Sequence, residues 1–313
     1  MMRFLMTRFL RGLLTLFLVL SFAFVILRST GDPAMLIMSA DAPPEALEAF
    51  RKGWGLDAPL WQQYLGYFKN LLTGNFGYSM RDKSPAMDLV LARIPATLTL
   101  AIPAFIIKLV IGISAGVMAA LHRNSWIDRL LISLSIAGYT MPSFVLGLVL
   151  VLVFAVGLGW LPSGGDATWQ HAILPVITLS LGGAAVLARF TRSAMLEVMG
   201  QPYIRTASAK GLVWRRVVLD HAMPNAAIPT LTVIGFMLGS LIAGAIVVES
   251  VFSWPGVGRL LVTSVANRDL AVVQSLLLLV ATTMVFANLL VDALYGWIDP
   301  RVRSGHSTRG KAP

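Results

Sequence analysis

The stretch YIRTASAKGLVWRRVVLDHAMP, residues 203–224, separates two long apolar runs. It holds Arg205, Lys210, Arg215 and Arg216 against a single acid, Asp220. From Tyr203 the apolar Ile204 and Ala207 alternate with Arg205 and Lys210 at a short-helix period. Gly211 then permits a left-handed break. A second short helix is expected over 212–219, carrying Trp214, Val217 and Val218, with Pro224 stopping it before the next apolar run. Two short helices joined by a glycine make a compact knob. The competing reading of the same residues is an interfacial amphipathic loop. What flanks the stretch decides what it faces.

The flanks are oil. Of 313 residues 57% are hydrophobic and 13% charged, and the mean hydropathy is +0.76. Soluble domains carry roughly a quarter charged residues, so the apolar excess points to lipid as solvent. Six runs are long enough to cross about 30 Å of hydrocarbon as helices: near 9–28, 95–121, 131–157, 172–190, 228–248 and 273–297. The first follows Arg3, Arg8 and Arg11 like a signal peptide. The text after it, RSTGDPAM, offers no small-x-small cleavage site, so it is read as an uncleaved anchor.

Charge sets the orientation. With the N-terminus cytoplasmic, the inner segments hold Arg3, Arg8 and Arg11, then Arg123 and Arg129, then Arg189, Arg192 and the four cations of the opening stretch, and finally Arg301, Arg303, Arg309 and Lys311. The short outer loop 158–171 holds no Lys or Arg. By the positive-inside rule both termini are cytoplasmic. The net charge of +10 is then mostly a cytoplasmic rim, and a nucleic-acid partner is not expected. The resulting division is a tail and first span over 1–28, an outer region over 29–94, a membrane domain over 95–300 with a cytoplasmic loop over 191–227, and a tail over 301–313. In the outer region 43–54 and 59–72 show helical spacing, so a small extracytoplasmic cap is expected.

Several motifs carry a sharp and a bland reading. GISAG, residues 112–116, matches the G-x-S-x-G nucleophile elbow, which requires a strand-turn-helix context; here it lies inside an apolar run, and an intramembrane hydrolase using Ser114 lacks a positioned His. Close helix packing through Gly112 and Gly116 fits better, and Gly235 and Gly239 repeat the pattern. Lys108, mid-span in AFIIKLVIG, is a cation that needs a partner or a wet cavity, so a pathway role and a structural pair both stay open. Asn288 and Asp292 share a helix face; they are candidates, with Lys108, for polar groups of the pathway or bundle, and are read first as an interfacial cap. SWPGVG, residues 253–258, follows the fifth span on the outer side and is turn chemistry first, with a partner contact as the second reading. The four histidines form no ligand spacing and there is no cysteine, so no metal site or disulfide is expected. No G-x-x-x-x-G-K-[ST] pattern occurs, so any nucleotide site lies on another chain.

The opening stretch resembles the cytoplasmic loop of ABC-importer permeases, E-A-A, three residues, Gly, nine residues, I-x-L-P. Here RTA (205–207) stands for E-A-A, Gly211 holds the glycine and HAMP (221–224) the last position. Arg205 in place of the acid and His221 in place of isoleucine are typical of the peptide-transporter branch. GDPA (31–34), GLDAPLWQQY (55–64), GNFGYS (74–79), RIPATLTLA (93–101), MPSFVLGL (141–148), LGWLPSGG (158–165), FSWPGVGRLL (252–261) and NLLVDALYGWIDPRVR (288–303) extend the resemblance to the dipeptide/oligopeptide B-type permease along nearly the whole chain. Lys108 does not look like a family feature.

The resemblance implies an all-α integral membrane protein with the type I ABC importer permease fold, in a bacterial inner membrane. It implies a non-enzymatic subunit partnered by a homologous second permease, two cytoplasmic ATPases that bind ATP and Mg, and an extracytoplasmic solute-binding protein. The knob would be the coupling helix, through Tyr203, Arg205, Thr206, Ala207, Lys210, Gly211, Leu212, Trp214, His221 and Pro224. The cargo would be a di- or oligopeptide, or glutathione, a nickel chelate or a glycoside moved by the same machinery. A stand-alone secondary transporter is the alternative from another class.

Overall fold

The computed structural model describes residues 2–29, 34–35 and 42–298, without the side chains of 2–5, 27 and 291–298. The tail expected over 301–313 lies outside the described residues. Among those described the secondary structure is helical, with a single isolated bridge between Tyr78 and Pro85.

The first apolar run forms α1 (Met2–Ser29), whose flanks expose Leu10, Leu14, Phe17, Phe22 and Val25. So much exposed apolar surface on one helix suits lipid rather than water. The two stretches with helical spacing form α2 (Pro44–Gly53) and α3 (Leu60–Leu72), and neither buries a residue completely. Instead of closing over a core of its own, α3 lies along α1: Phe17 meets Phe68 at 5.3 Å between ring centroids, Phe24 meets Tyr64 at 5.4 Å, and the Ser21 and Tyr64 hydroxyls are 2.8 Å apart.

The centre of the fold is the pair α4 (Ala86–Leu121) and α7 (Ile173–Met199), and glycine makes it possible. A Cβ on Gly112 would come within 2.8 Å of Leu187 Cβ, and one on Gly116 within 2.6 Å of the Ala188 carbonyl oxygen. The small-residue spacing in GISAG therefore serves close approach of two backbones. Ser114 faces outward on the same helix, with no strand or turn beside it, so the elbow reading has no structure to rest on.

Between α4 and α7 the chain forms α5 (Trp126–Thr140) and α6 (Ser143–Leu150), the latter continuing as a π-helix over Val151–Gly157. The straight third span expected over 131–157 is thus two helices bent by 102°. Pro142 is the cause. It bars the residue before it from the helical region, and Met141 sits at φ −76°, ψ 120°.

After α7 come α8 (Pro202–Ala209), α9 (Trp214–Gly239), α10 (Leu241–Val251), α11 (Val257–Ala266) and α12 (Leu270–Ile298). Two expectations are corrected here. The span expected over 228–248 crosses the interruption at Ser240, so its two parts belong to α9 and α10. Pro224 does not stop a short helix over 212–219; the helix begins at Trp214 and runs through it. The reason is a π segment over Val217–Ala222, where the Met223 N–H reaches back five residues to the Val218 carbonyl. The ladder is already off the regular register where Pro224 lacks its N–H, so the usual break is absorbed.

Five helices of the described residues are long and apolar enough to span a bilayer, and the bent α5–α6 pair adds one more if counted as a single span.

Candidate functional site

The opening stretch folds into a knob seated on the bundle. Its inward side is apolar: Ile204, Ala207, Val217, Val218 and Ala222 are buried in one cluster with Ala120 at the end of α4, Ala194 and Met195 of α7, and Ala226 of α9. Burying this face against three long helices fixes the knob to all of them, by roughly 25 cal/mol for each Å² of apolar surface removed from solvent.

The outward side is different in kind. Tyr203, Arg205, Thr206, Lys210, Gly211, Leu212, Val213, Trp214, Arg215 and Arg216 are all exposed, with Val213 at 70% and Trp214 at 53%. Gly211 lies at the turn with φ +77°, the left-handed break anticipated for it, and its N–H donates to the Ser208 carbonyl at 3.0 Å. A Cβ there would meet no atom within 4 Å. The turn thus presents apolar Leu212, Val213 and Trp214 ringed by cations. His221 is half-buried and its carbonyl accepts from the Asn225 side-chain amide at 2.7 Å. Pro224 is exposed. Of the residues assigned to the knob, Ala207 therefore faces the bundle; the others surround the turn or its stem.

An ion pair stiffens the helices beneath. Arg192 of α7 donates from Nε and Nη2 to the two carboxylate oxygens of Asp128 at the start of α5, both at 2.7 Å. Asp128 is 4% exposed and also accepts from the Asn124 N–H at 2.9 Å. Two parallel bonds give the pair a defined geometry as well as attraction.

The other polar candidates do not gather. Lys108 lies half-buried on α4 with its methylene stem over Gly183 of α7, where a Cβ would meet Lys108 Cδ at 2.7 Å. No ion pair of Lys108 forms among the described residues. Asn288 is exposed beside Gly239, and the Asp292 side chain lies outside the described residues. His171 is paired with Thr168 at the opposite end of α7 from the knob, and no group of three metal-ligating side chains forms among the described residues.

Sequence reading missed a buried network at the end of the bundle away from the knob. Glu249 is completely buried and accepts from Thr97 Oγ1 at 2.6 Å, from the Gly258 N–H at 2.7 Å and from the Arg259 N–H at 3.1 Å. The Thr97 hydroxyl in turn accepts from the Val257 N–H at 2.8 Å. Glu249 thus caps the start of α11 and ties it to α4, while Trp254 Nε1 donates to the Ala96 carbonyl at 2.8 Å. The signal was available: Glu249 is an acid at the edge of an apolar run, and such a residue has a partner. SWPGVG is the turn that places those donors. Beside the network a groove of about 690 Å³ opens between the Thr99–Ile107 stretch of α4 and the Trp169–Ile177 stretch leading into α7.

Comparison with known proteins agrees with this geometry. Residues 112–304 match the binding-protein-dependent transport system inner membrane component family, and residues 1–101 match the N-terminal model of the same membrane components. The glutathione transport system permease protein GsiC of Escherichia coli (strain K12) is 43% identical over 304 residues, covering 97% of this chain and 99% of that protein. The protein of the same name from Shigella dysenteriae serotype 1 matches equally. Among solved structures, a chain of the MetNI methionine ABC transporter in an inward facing conformation aligns with a TM-score of 0.60 at 19% identity, over 69% of this chain and 98% of that one; that likeness bears on the fold. An apolar helical bundle with an exposed knob, matched by family along most of its length, is a non-catalytic permease subunit of an ABC importer. The chain belongs to the binding-protein-dependent transport system inner membrane component family.

Proposed function

We propose that this chain forms half of the translocation pathway of an ATP-driven importer in a bacterial inner membrane, and that the 191–227 loop docks its knob on a cytoplasmic ATPase. The observation that carries the docking reading is the division of the knob into two faces. One face is sealed into the ends of α4, α7 and α9; the other exposes Leu212, Val213 and Trp214 among cations. A knob rigid on its own helices transmits a displacement as a rigid-body shift. ATP and Mg bind the ATPase subunits, and the ATPase surface that receives the knob is a groove with apolar floor and acidic rim. A homologous second permease completes the pathway, and an extracytoplasmic binding protein delivers the cargo.

The cargo is a peptide-sized solute, with glutathione favoured over plain dipeptides because relatives 43% identical along the full chain carry the name of glutathione permeases. The test is uptake by proteoliposomes holding the full set of subunits. Labelled glutathione enters only with ATP inside, at a rate at least tenfold above a dipeptide, and Ser114→Ala leaves that rate unchanged. Dipeptide uptake with glutathione excluded moves the substrate assignment. Uptake driven by an ion gradient through the chain alone makes it a secondary transporter, and loss of function in Ser114→Ala revives hydrolysis.

A further inference from the structure

Two arginines line one hollow at the end of the bundle away from the knob. It measures about 300 Å³, and its walls are Arg93 of α4, Arg259, Leu260 and Thr263 of α11, and the Pro255–Gly256 turn. No acidic side chain lines it, and neither arginine forms an ion pair among the described residues. Two cations on one hollow repel each other, and an anion between them reverses the sign of that interaction. Each guanidinium is partly tied and partly free. Nη1 of Arg93 donates to the Pro255 carbonyl at 3.4 Å, and Nη1 of Arg259 donates to the Ser253 carbonyl. The Nε and Nη2 groups donate to no described residue; Arg93 is exposed, and those two nitrogens of half-buried Arg259 stay open to solvent rather than enclosed.

The buried Glu249 network is what fixes this arrangement. Glu249 accepts from the backbone N–H groups of Gly258 and of Arg259 itself, and Thr97 takes the Val257 N–H. A Cβ on Gly256 would lie 2.3 Å from Glu249 Oε1, so the turn admits the carboxylate beneath it only as glycine. The first amides of α11 are used up in this way, and an anion in the hollow meets guanidinium groups instead of a free helix end. A guanidinium matches a carboxylate through two parallel N–H donors. The same turn also reaches the groove of about 690 Å³: Trp254 lines the groove and Pro255 the hollow. On α4, Ala96 lines the groove three residues on from Arg93, on the same side of the helix. The groove is mostly apolar, with Trp169 and Trp254 in its wall and the hydroxyls of Thr99 and Thr168 beside them.

We propose that the Arg93–Arg259 hollow takes a carboxylate of the solute at the outer mouth of the pathway, while the groove beside it holds the solute's uncharged body. Arg93 and Arg259 then select small carboxylate-bearing solutes, and Glu249 is the positioning residue that aims Arg259. The inference rests on reading this chain as half of an import pathway. It does not depend on the knob.

The experiment is equilibrium binding of labelled glutathione to the purified full chain in detergent at low salt. Arg259→Gln weakens binding about tenfold and Arg93→Gln about threefold, since each removes charge-assisted bonds to the carboxylate. Arg259→Lys keeps the charge without the fork and falls between wild type and Arg259→Gln. Glutathione diethyl ester, with both carboxylates capped, competes about tenfold less well than glutathione. Arg93 is exposed and outside the Glu249 network, so its variant is read even if Arg259→Gln fails to fold. No binding by wild type, or equal binding in wild type and Arg93→Gln, overturns the proposal. Short-chain phosphatidylglycerol that displaces the label more effectively than glutathione itself assigns the hollow to a lipid phosphate and also overturns it. Uptake by the complete importer tests the cargo reading separately. Arginine-dependent binding without uptake sinks that reading alone, and uptake with arginine-independent binding sinks this one alone.

Discussion

Arg192 and Asp128 face each other across α7 and α5 at 2.7 Å, with the carboxylate almost fully buried and the arginine partly open. Such a pair contributes modestly as a whole, because both ions lose water to form it; breaking it from one side is the costly event. Arg192→Gln leaves the Asp128 carboxylate with the Asn124 N–H as its remaining partner among the described residues, at a cost of about 1–3 kcal/mol, since the arginine side of the pair is open to water. The expected result is a clear drop in the apparent Tm of the detergent-purified chain, with Asp128→Asn/Arg192→Gln together recovering more than half of it. A single-variant Tm equal to wild type contradicts the account of the pair. Neither partner stood out in the sequence, because an Asp and an Arg at span ends look like ordinary rim charges until the fold brings residues 64 apart into contact. Glu249 did signal a partner, as an acid at the edge of an apolar run, but which partners was not legible: they are the Thr97 hydroxyl and the Gly258 and Arg259 backbone amides, which leave no charge pattern to read.

Helix contacts were more legible than helix shapes. Gly112 and Gly116 at four-residue spacing announced a close approach, and α4 packs on α7 at those two positions. Gly116→Leu puts a Cβ 2.6 Å from a backbone carbonyl of α7 that has no room to move, and overpacking of this kind costs about 1–3 kcal/mol. Gly244→Leu on α10 is the matched control, since a Cβ there meets nothing within 4 Å. Measured side by side, Gly116→Leu lowers the apparent Tm and the yield of folded chain, whereas Gly244→Leu stays close to wild type. The shapes misled because hydropathy counts length and not direction. The 131–157 run is continuous in apolarity, yet Pro142 turns it by 102°. Conversely Pro224, which breaks helices in water, sits inside α9 because the π segment before it absorbs the missing N–H.

At the scale of the whole molecule, the proposed function makes the opening stretch the joint between an oily bundle and the ATPase proposed to move it. Its basic character and its glycine were legible in the sequence. Which residues face inward was only half legible: the helical period separates Ile204 and Ala207 from Arg205 and Lys210, but Val213 at the turn shows its exposure only in the folded chain. The fold places Gly211 at the tip with a positive φ and open space on its Cβ side. Aspartate tolerates that backbone region better than most residues, so Gly211→Asp leaves the knob folded and adds a carboxylate to the basic, apolar tip proposed to dock on the ATPase. The direct measurement is ATP hydrolysis and solute uptake side by side in proteoliposomes of the complete importer carrying this variant. The account predicts hydrolysis within about twofold of wild type and uptake reduced at least tenfold; uptake at the wild-type rate contradicts a coupling role for the knob.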